Sequence, residues 1–360
     1  MDRTDENERY SRQIRFAPIG ENGQQRISQA SVAIVGCGAL GSFQAEALAR
    51  AGIGTLRLID RDTVDFSNLQ RQFLYDENDA SGEVPKAVAA ARRLALLNAQ
   101  VRIEPHVTDL TASNAEELLT GCDLILDGTD NFETRYLLND LSVKHSIDRS
   151  TNHALPAQRA LPAQRALPWI YGAAVGSSGT VMPVVPGRGP CFACVYPEPP
   201  AGPHPTCDVN GILNTASASV AALQVSLALR LIVGWDDFAA AIHTLDLWNG
   251  VSRRIHAGPP DPQCHVCARH EFRYLDNARR TPVSLCGRNA VQIHETSRPL
   301  DLAELARRLA PVGEVRVNEF ALRLAIPRYD LMFFPDGRAI IRGTQDIAIA
   351  RSLYSQLIGN

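Results

Sequence analysis

From residue 31 to about residue 140, short apolar runs alternate with longer amphipathic stretches. SVAIVG (31–36), TLRLID (55–60), VRIEPHV (101–107) and DLILD (123–127) are rich in Val, Ile and Leu, the pattern of strands in a mostly parallel sheet, and DLILD reads as buried. Between them, SFQAEALARAGI (42–53) and PKAVAAARRLALLN (85–98) repeat their apolar positions at helical spacing. This alternation predicts an α/β fold, a Rossmann-like, mostly parallel sheet with helices on both faces. Further strands are expected at WIYGAAV (169–175), TVMPVV (180–185) and AIHTLDLW (241–248), giving one domain over 31–275 behind a polar helical lead-in over 1–30.

Beyond residue 280 the pattern changes. VSLCGRNAVQI, the helix DLAELARRLA, the strand-like EVRVNEFALRLAI, DLMFFPDGRAII with its D-G turn and a closing helix DIAIARSLYSQLI predict a small α+β appendage over 280–360. Two proline-bearing stretches interrupt the main domain. One is a loop insertion at about 148–167 that carries the tandem ALPAQRALPAQRALP (154–168), too short a repeat for a stacking architecture. The other is PEPPAGPHPTCDVNG (197–211), read as a crossover connection.

Composition narrows the classes. The 360 residues are 45% hydrophobic and 21% charged with a net charge of -3, ordinary for a globular enzyme and without the basic excess of a nucleic-acid binder. The N-terminus MDRTDENERYSRQIRF contains no apolar signal core, and VAALQVSLALRLIVGW (220–235) is broken by Gln224, Ser226 and Arg230, so a core helix is expected there and no membrane span. A cytoplasmic setting follows as the expectation, and the eight cysteines are judged first as thiols or metal ligands.

AIVGCGALGS (33–42) carries G-x-G-x-x-G at Gly36, Gly38 and Gly41. The first glycine permits a tight turn, the second a close approach of backbone to phosphate, and the third close helix packing, while the helix N-terminus favours an anion. Asp60 closes the next strand, where an acid accepts hydrogen bonds from ribose hydroxyls. NAD and ATP share the adenosine half, so the loop alone leaves an NAD(P)-dependent oxidoreductase open. RDTVDFSNLQRQFLY (61–75) changes the balance: Asn68, Gln70, Arg71 and the later Lys86 are donors suited to charge building on phosphates. DLILDGTDN (123–131) ends a strand in acids, with Asp130 favoured for Mg²⁺ and Asp127 read as a possible helix cap. CFAC (Cys191, Cys194) and CHVC (Cys264, Cys267) form two C-x-x-C pairs, the donor set of a structural zinc site closed to substrate, with His265 a bystander. Cys37, Cys122 and Cys286 read as packing residues.

RYSRQ (9–13), GCGALG, LIDRDTVDFSNLQRQ, PKA (85–87), DGTDNFETRYLLND, PCFAC and CHVC occur in the order of the ubiquitin-activating-enzyme-like adenylyltransferases, and over roughly residues 9–270 the chain resembles the ThiF/HesA/MoeB family. The resemblance implies ATP, Mg²⁺ and zinc. It also implies adenylation of the C-terminal glycine carboxylate of a small ubiquitin-fold sulfur-carrier protein ending in Gly-Gly, with a sulfur-donor protein acting downstream. Carried over by position, it implies nucleotide contacts at Ala39, Asp60, Ser67, Asn68, Leu69, Gln70, Arg71, Lys86, Asp130 and Asn131. Arg12 matches the arginine that reaches into a partner subunit's site, which implies a homodimer. The family often has glycine where this chain has Ala39, whose methyl narrows the phosphate approach. Cys207 sits where relatives can carry a thiol that links covalently to the carrier; the alternative is an incidental exposed thiol. Besides the NAD(P)-dependent oxidoreductase, an adenylyltransferase acting on a non-protein substrate is the second alternative function.

Overall fold

The computed structural model describes residues 8–151, 167–199, 210–234, 240–276, 283–285, 290–293 and 299–358, with backbone alone for 148–151 and 283–285. The chain divides into two compact units, Met1–His204 with Ile212–Asp276, and Pro205–Gly211 with Asn277–Asn360.

The first unit is built on an eight-stranded sheet. Its strands are β1 Ser31–Val35, β2 Thr55–Ile59, β3 Arg102–His106, β4 Leu124–Asp127, β5 Trp169–Val175, β6 Ser178–Val184, β7 Ala241–Asp246 and β8 Val251–His256. They run in the order β3-β2-β1-β4-β5-β6-β7-β8. The pairings from β3 to β5 are parallel and those from β5 to β8 antiparallel. Side chains alternate across the sheet, so the inner strands β1, β2, β4, β5 and β6 feed two cores. Val32, Ile34, Leu56, Leu58, Leu124 and Leu126 lie in one cluster, with α1 Gly20–Gln29, α2 Ala39–Ala51, α3 Lys86–Leu97 and α5 Asn214–Ile232 contributing to it. Ala33, Val35, Ile59, Ile125, Trp169 and Tyr171 lie in the other, with α4 Phe132–Thr151 and the cysteine segments.

Helix α5 is long and apolar enough to cross a membrane by length and composition. Here it packs against α2, β5 and β6 and buries ten residues, Val220, Ala221 and Ala228 among them, so it is the core helix expected. Strand β8 escaped the pattern reading because VSRRIH has no apolar alternation: all six residues are exposed at the sheet edge.

The second unit is a six-stranded antiparallel sheet in the order β11-β12-β13-β14-β10-β9, formed by β9 Val283–Leu285, β10 Ala290–Ile293, β11 Glu314–Val317, β12 Leu322–Ile326, β13 Tyr329–Phe333 and β14 Ala339–Arg342. Its core joins Val291, Leu324, Leu331, Phe333 and Ile341 to Leu305 and Leu309 of α6 Leu302–Leu309 and Tyr354 of α7 Ile347–Ile358. EVRVNEFALRLAI is a hairpin of two strands, because Asn318 Oδ1 accepts the Phe320 and Ala321 N–H groups at 2.8 Å each and closes a turn.

Candidate nucleotide site and four-cysteine cluster

The glycine loop joins β1 to α2 at the carboxyl end of the parallel strands, where open α/β sheets bind ligands. Gly36 has φ +88°, and a Cβ there would meet the Gly128 carbonyl at 2.7 Å; one on Gly41 would lie 1.9 Å from the Gly36 carbonyl. Gly38 differs, since its nearest neighbour would be Gln72 Nε2 at 3.9 Å, which leaves its face open to a ligand. Ala39 opens α2 and is half-buried. Gly128, which sequence reading passed over, is the partner that lets the loop and the GTDN turn touch backbone to backbone: a Cβ on it would meet the Gly36 carbonyl at 2.2 Å.

Asp60, at the end of β2, ties the loop down. Its Oδ2 accepts the Cys37 N–H at 2.6 Å and its Oδ1 the Asp62 N–H at 2.7 Å. Burial pushes its carboxyl up, while Lys86 nearby pulls it down. Lys86 opens α3 with 3% of its surface exposed, and its Nζ lies 3.2 Å from Asp62 Oδ2. Asp62 is also reached by Arg61 Nε at 3.7 Å, and Arg61 in turn pairs with Asp109 at 2.8 Å. Asp62 therefore belongs to the site, and the D-x-D spacing of LIDRD is the signal that could have found it.

The SNLQR run forms a 3₁₀ turn over Phe66–Asn68. Asp65 Oδ1 accepts the Ser67 N–H at 2.8 Å and Asn68 Oδ1 accepts the Asp65 N–H at 3.1 Å. Leu69 is partly buried, and Arg71 Nη1 donates to the Ser67 carbonyl at 2.8 Å. Gln70 Nε2 donates to the Ile212 carbonyl at 3.3 Å and the Gln70 carbonyl accepts from Asn214 Nδ2 at 3.3 Å, so this run is pinned to the start of α5. On the GTDN turn, Asp130 is exposed and Asn131 Oδ1 accepts the Thr134 N–H at 2.8 Å. The helix cap is thus Asn131. Asp127 is wholly buried and its Oδ1 accepts the Thr129 N–H.

Arg12 lies apart from this cluster, exposed on the short helical turn Ser11–Ile14, between neighbours that are anchored. Tyr10 is buried and accepts a hydrogen bond from Asn98 Nδ2 at 2.8 Å, and Gln13 Nε2 donates to Gln24 Oε1 at 2.6 Å and the Ala51 carbonyl at 2.9 Å. Among the described residues no hydrogen bond or ion pair holds the Arg12 side chain.

Cys191, Cys194, Cys264 and Cys267 come together although 73 residues separate the pairs, with all four Sγ atoms within 4.8 Å of one another. The Cys191–Cys194, Cys191–Cys264 and Cys194–Cys267 separations are 3.7, 3.6 and 3.4 Å. Tetrahedral metal–thiolate geometry with bonds of about 2.3 Å places sulfurs about 3.8 Å apart, so this donor set could hold a metal ion. Hydrogen bonding from Cys191 draws the Cys194 thiol down to about 5 despite its burial, and the Asp261 N–H adds to this. Asn139 of α4 holds the cluster from inside, with Oδ1 on the Phe192 N–H at 2.8 Å and Nδ2 toward Cys191 Sγ at 3.7 Å. Cys37 and Cys122 are buried as packing residues. Cys207, Cys286 and the ALPAQR copies lie outside the described residues, apart from Leu167 and Pro168.

A dinucleotide fold built for hydride transfer gives no reason for the arginine–amide run or the paired cysteines, and the relatives that this chain matches make it a nucleotidyltransferase. The chain belongs to the ThiF family, whose model matches residues 10–266. It is 41% identical over 355 residues to the sulfur carrier protein ThiS adenylyltransferase of Bacillus subtilis, covering 98% of this chain and 99% of that one. It is 35% identical to the sulfur carrier protein adenylyltransferase of Thermus thermophilus over 73% of this chain and 91% of that one. Among solved structures, Escherichia coli MccB with MccA-N7isoASN has the same fold, at a TM-score of 0.59 and 20% identity over 73% of this chain and 74% of that one.

Proposed function

We propose that this chain uses ATP and Mg²⁺ to adenylate the C-terminal glycine carboxylate of a small ubiquitin-fold sulfur-carrier protein ending in Gly-Gly. The observation that carries the reading is the match along nearly the whole of both chains to an enzyme named for that activity. In the reaction a carboxylate oxygen bonds to the α-phosphorus, the bond from that phosphorus to the bridging oxygen breaks, and pyrophosphate leaves. No proton need move, so the residues' task is to hold phosphates and offset charge.

In this reading Gly36, Gly38, Ala39 and Gly41 receive the phosphates at the start of α2, and Asp60 faces the ribose. Lys86 and Arg71 meet the charge that gathers on the α-phosphate and the departing pyrophosphate. Ser67, Asn68, Leu69, Gln70 and Asn131 line the nucleotide, and Asp130 binds the Mg²⁺, an ion that typically takes one or two carboxylates together with phosphate oxygens. Zinc at the four cysteines would be structural, since four thiolates close the coordination shell. Free cysteines throughout the described residues support a cytoplasmic setting.

A homodimer completes the site in this reading. Arg12 is presented by an anchored turn, and Phe16, Phe66 and Phe73 are 60%, 59% and 48% exposed, apolar surface of the kind a second copy would cover. In the same reading the chain is a helical lead-in over 1–30, an adenylation domain over 31–275 and an α+β extension over 280–360 to which no role is assigned. Cys207 as the thiol that links to the carrier, and a sulfur-donor protein acting after adenylation, complete the proposal.

The test mixes the purified chain with Mg-ATP and a panel of Gly-Gly-ending carriers and reads intact mass and pyrophosphate release. A carrier heavier by one adenylyl group supports the reading. A chain that binds no ATP ends it.

A further inference from the structure

The turn that carries Asp130 is held from behind by a side chain that the nucleotide reading does not use. Arg135, one turn into α4, is 5% exposed. Its Nε donates to Asp127 Oδ2 at 3.0 Å, and its Nη2 donates to the Thr129 carbonyl at 2.7 Å and the Gly172 carbonyl at 3.3 Å. The rings of Tyr171 and Phe132 lie 5.0 and 5.4 Å from its central carbon. Burial works against its charge, and Asp127 alongside more than restores it.

Asp127 is saturated by the same arrangement. Its Oδ1 accepts the Thr129 N–H at 2.8 Å and the Thr129 hydroxyl at 2.6 Å, and its carbonyl accepts from Gln44 Nε2 at 3.2 Å and Gln224 Nε2 at 2.9 Å. An arginine suits the position because its planar fork meets a carboxylate and a carbonyl at once, which a lysine's single ammonium does with poorer geometry. The ring cluster behind it includes Phe192, 5.1 Å from Tyr171 and inside the Cys191–Cys194 pair.

We propose that Arg135 is a positioning residue for the nucleotide: it fixes the Asp127–Asn131 turn from the ring cluster shared with the four-cysteine site, and so sets where Asp130 stands. This rests on the ATP reading above. Arg135 is too deeply buried to meet substrate, so its effect reaches the phosphates through the turn.

The test is a double-mutant cycle on Mg-ATP binding, measured by calorimetry on the full chain with Arg135→Lys, Asp130→Asn and both together, beside the melting temperature of each. Arg135→Lys is expected to weaken Mg-ATP about tenfold and to raise KM for ATP with kcat changed less than about twofold. In the Asp130→Asn background the same change is expected to cost less than about twofold, because the two act as one unit. A purely structural arginine would lower the melting temperature without that coupling. Should Arg135→Lys not fold, Asp127→Asn with Arg135→Gln removes both buried charges together and carries the same expectation. Unchanged Mg-ATP affinity, or an equal loss in both backgrounds, overturns the inference while the nucleotide reading stands. An unmodified chain that fails to bind Mg-ATP overturns both.

Discussion

Lys86 Nζ lies 3.2 Å from Asp62 Oδ2 while the Lys86 N–H donates to the Asp62 carbonyl at 2.9 Å, so one aspartate holds this lysine by side chain and backbone alike. The ammonium is thereby fixed at the base of the glycine loop before any phosphate arrives. Replacing Lys86 with Met is expected to slow carrier adenylation about 10²- to 10³-fold, the usual cost of losing a group aimed at transition-state charge. Asp62→Asn should cost about tenfold and act mainly on KM for ATP. ATP–pyrophosphate exchange measures both; equal losses in the two variants would contradict this ordering.

The glycines separate folding from binding. At Gly41 a methyl would collide with the Gly36 carbonyl, and neither backbone segment can give way cheaply. Gly41→Ala is therefore expected to lower the melting temperature sharply. Gly38→Ala meets only the Gln72 amide, at 3.9 Å, so its melting temperature should stay within about 2 °C of the parent's while its ATP affinity falls about tenfold or more. Thermal melts with and without Mg-ATP distinguish the two.

Arg12 gives the proposed dimer a functional test. Arg12→Ala and Asp130→Asn chains should each be nearly inactive alone. Mixed and allowed to exchange, they are expected to form heterodimers with one complete site, so that about a quarter of the parent activity returns. No recovery from chains shown to exchange would place Arg12 outside the partner's site.

Asp140 supplies the pH dependence. It is fully buried in α4, its Oδ2 accepts the Tyr274 N–H at 2.8 Å, and its Oδ1 has no hydrogen-bond partner among the described residues. Burial pushes its carboxyl from 3.8 up to about 7. A carboxyl raised in the folded state penalises folding only once the unfolded chain ionises, so its contribution worsens as pH rises from about 4 to about 7 and is level above that. Asp140→Asn keeps an acceptor for Tyr274 and removes the charge. Denaturant melts should show the variant gaining stability on the parent across that window, by at most a few kcal/mol at pH 8. A constant difference from pH 4 to pH 8 would assign the effect to packing.

Metal removal tests the cysteine cluster. Elemental analysis should find one zinc per chain, and Cys194→Ser or a strong chelator should release it with a melting-temperature loss of more than about 10 °C, since structural zinc contributes on the order of 10 kcal/mol in small domains. A chain that is metal-free and equally stable as isolated would remove zinc from the reading.

Much of this molecule could be read along the chain, because its signals are local. The glycine loop follows from three steric demands within six residues, and the central parallel strands announce themselves by apolar runs between amphipathic helices. The four cysteines were visible as two short-range pairs. Strand β8 was not legible: an exposed edge strand buries neither face, so no hydrophobic alternation marks it. The hairpin inside EVRVNEFALRLAI depended on one Asn318 turn between two segments of similar character.

The sequence by itself determined the residue types that nucleotide chemistry needs and the elements that carry them, since propensity, periodicity and glycine sterics act over a few residues. Only the tertiary structure decided their pairings. It gave Lys86 to Asp62 across 24 residues and Cys191 to Cys264 across 73, laid Gly36 on Gly128, and closed Asp127 around Arg135 instead of leaving it as a cap. Contacts of that kind depend on how the sheet orders its strands and on which buried charge must find a partner, and neither quantity is a property of any short stretch of chain.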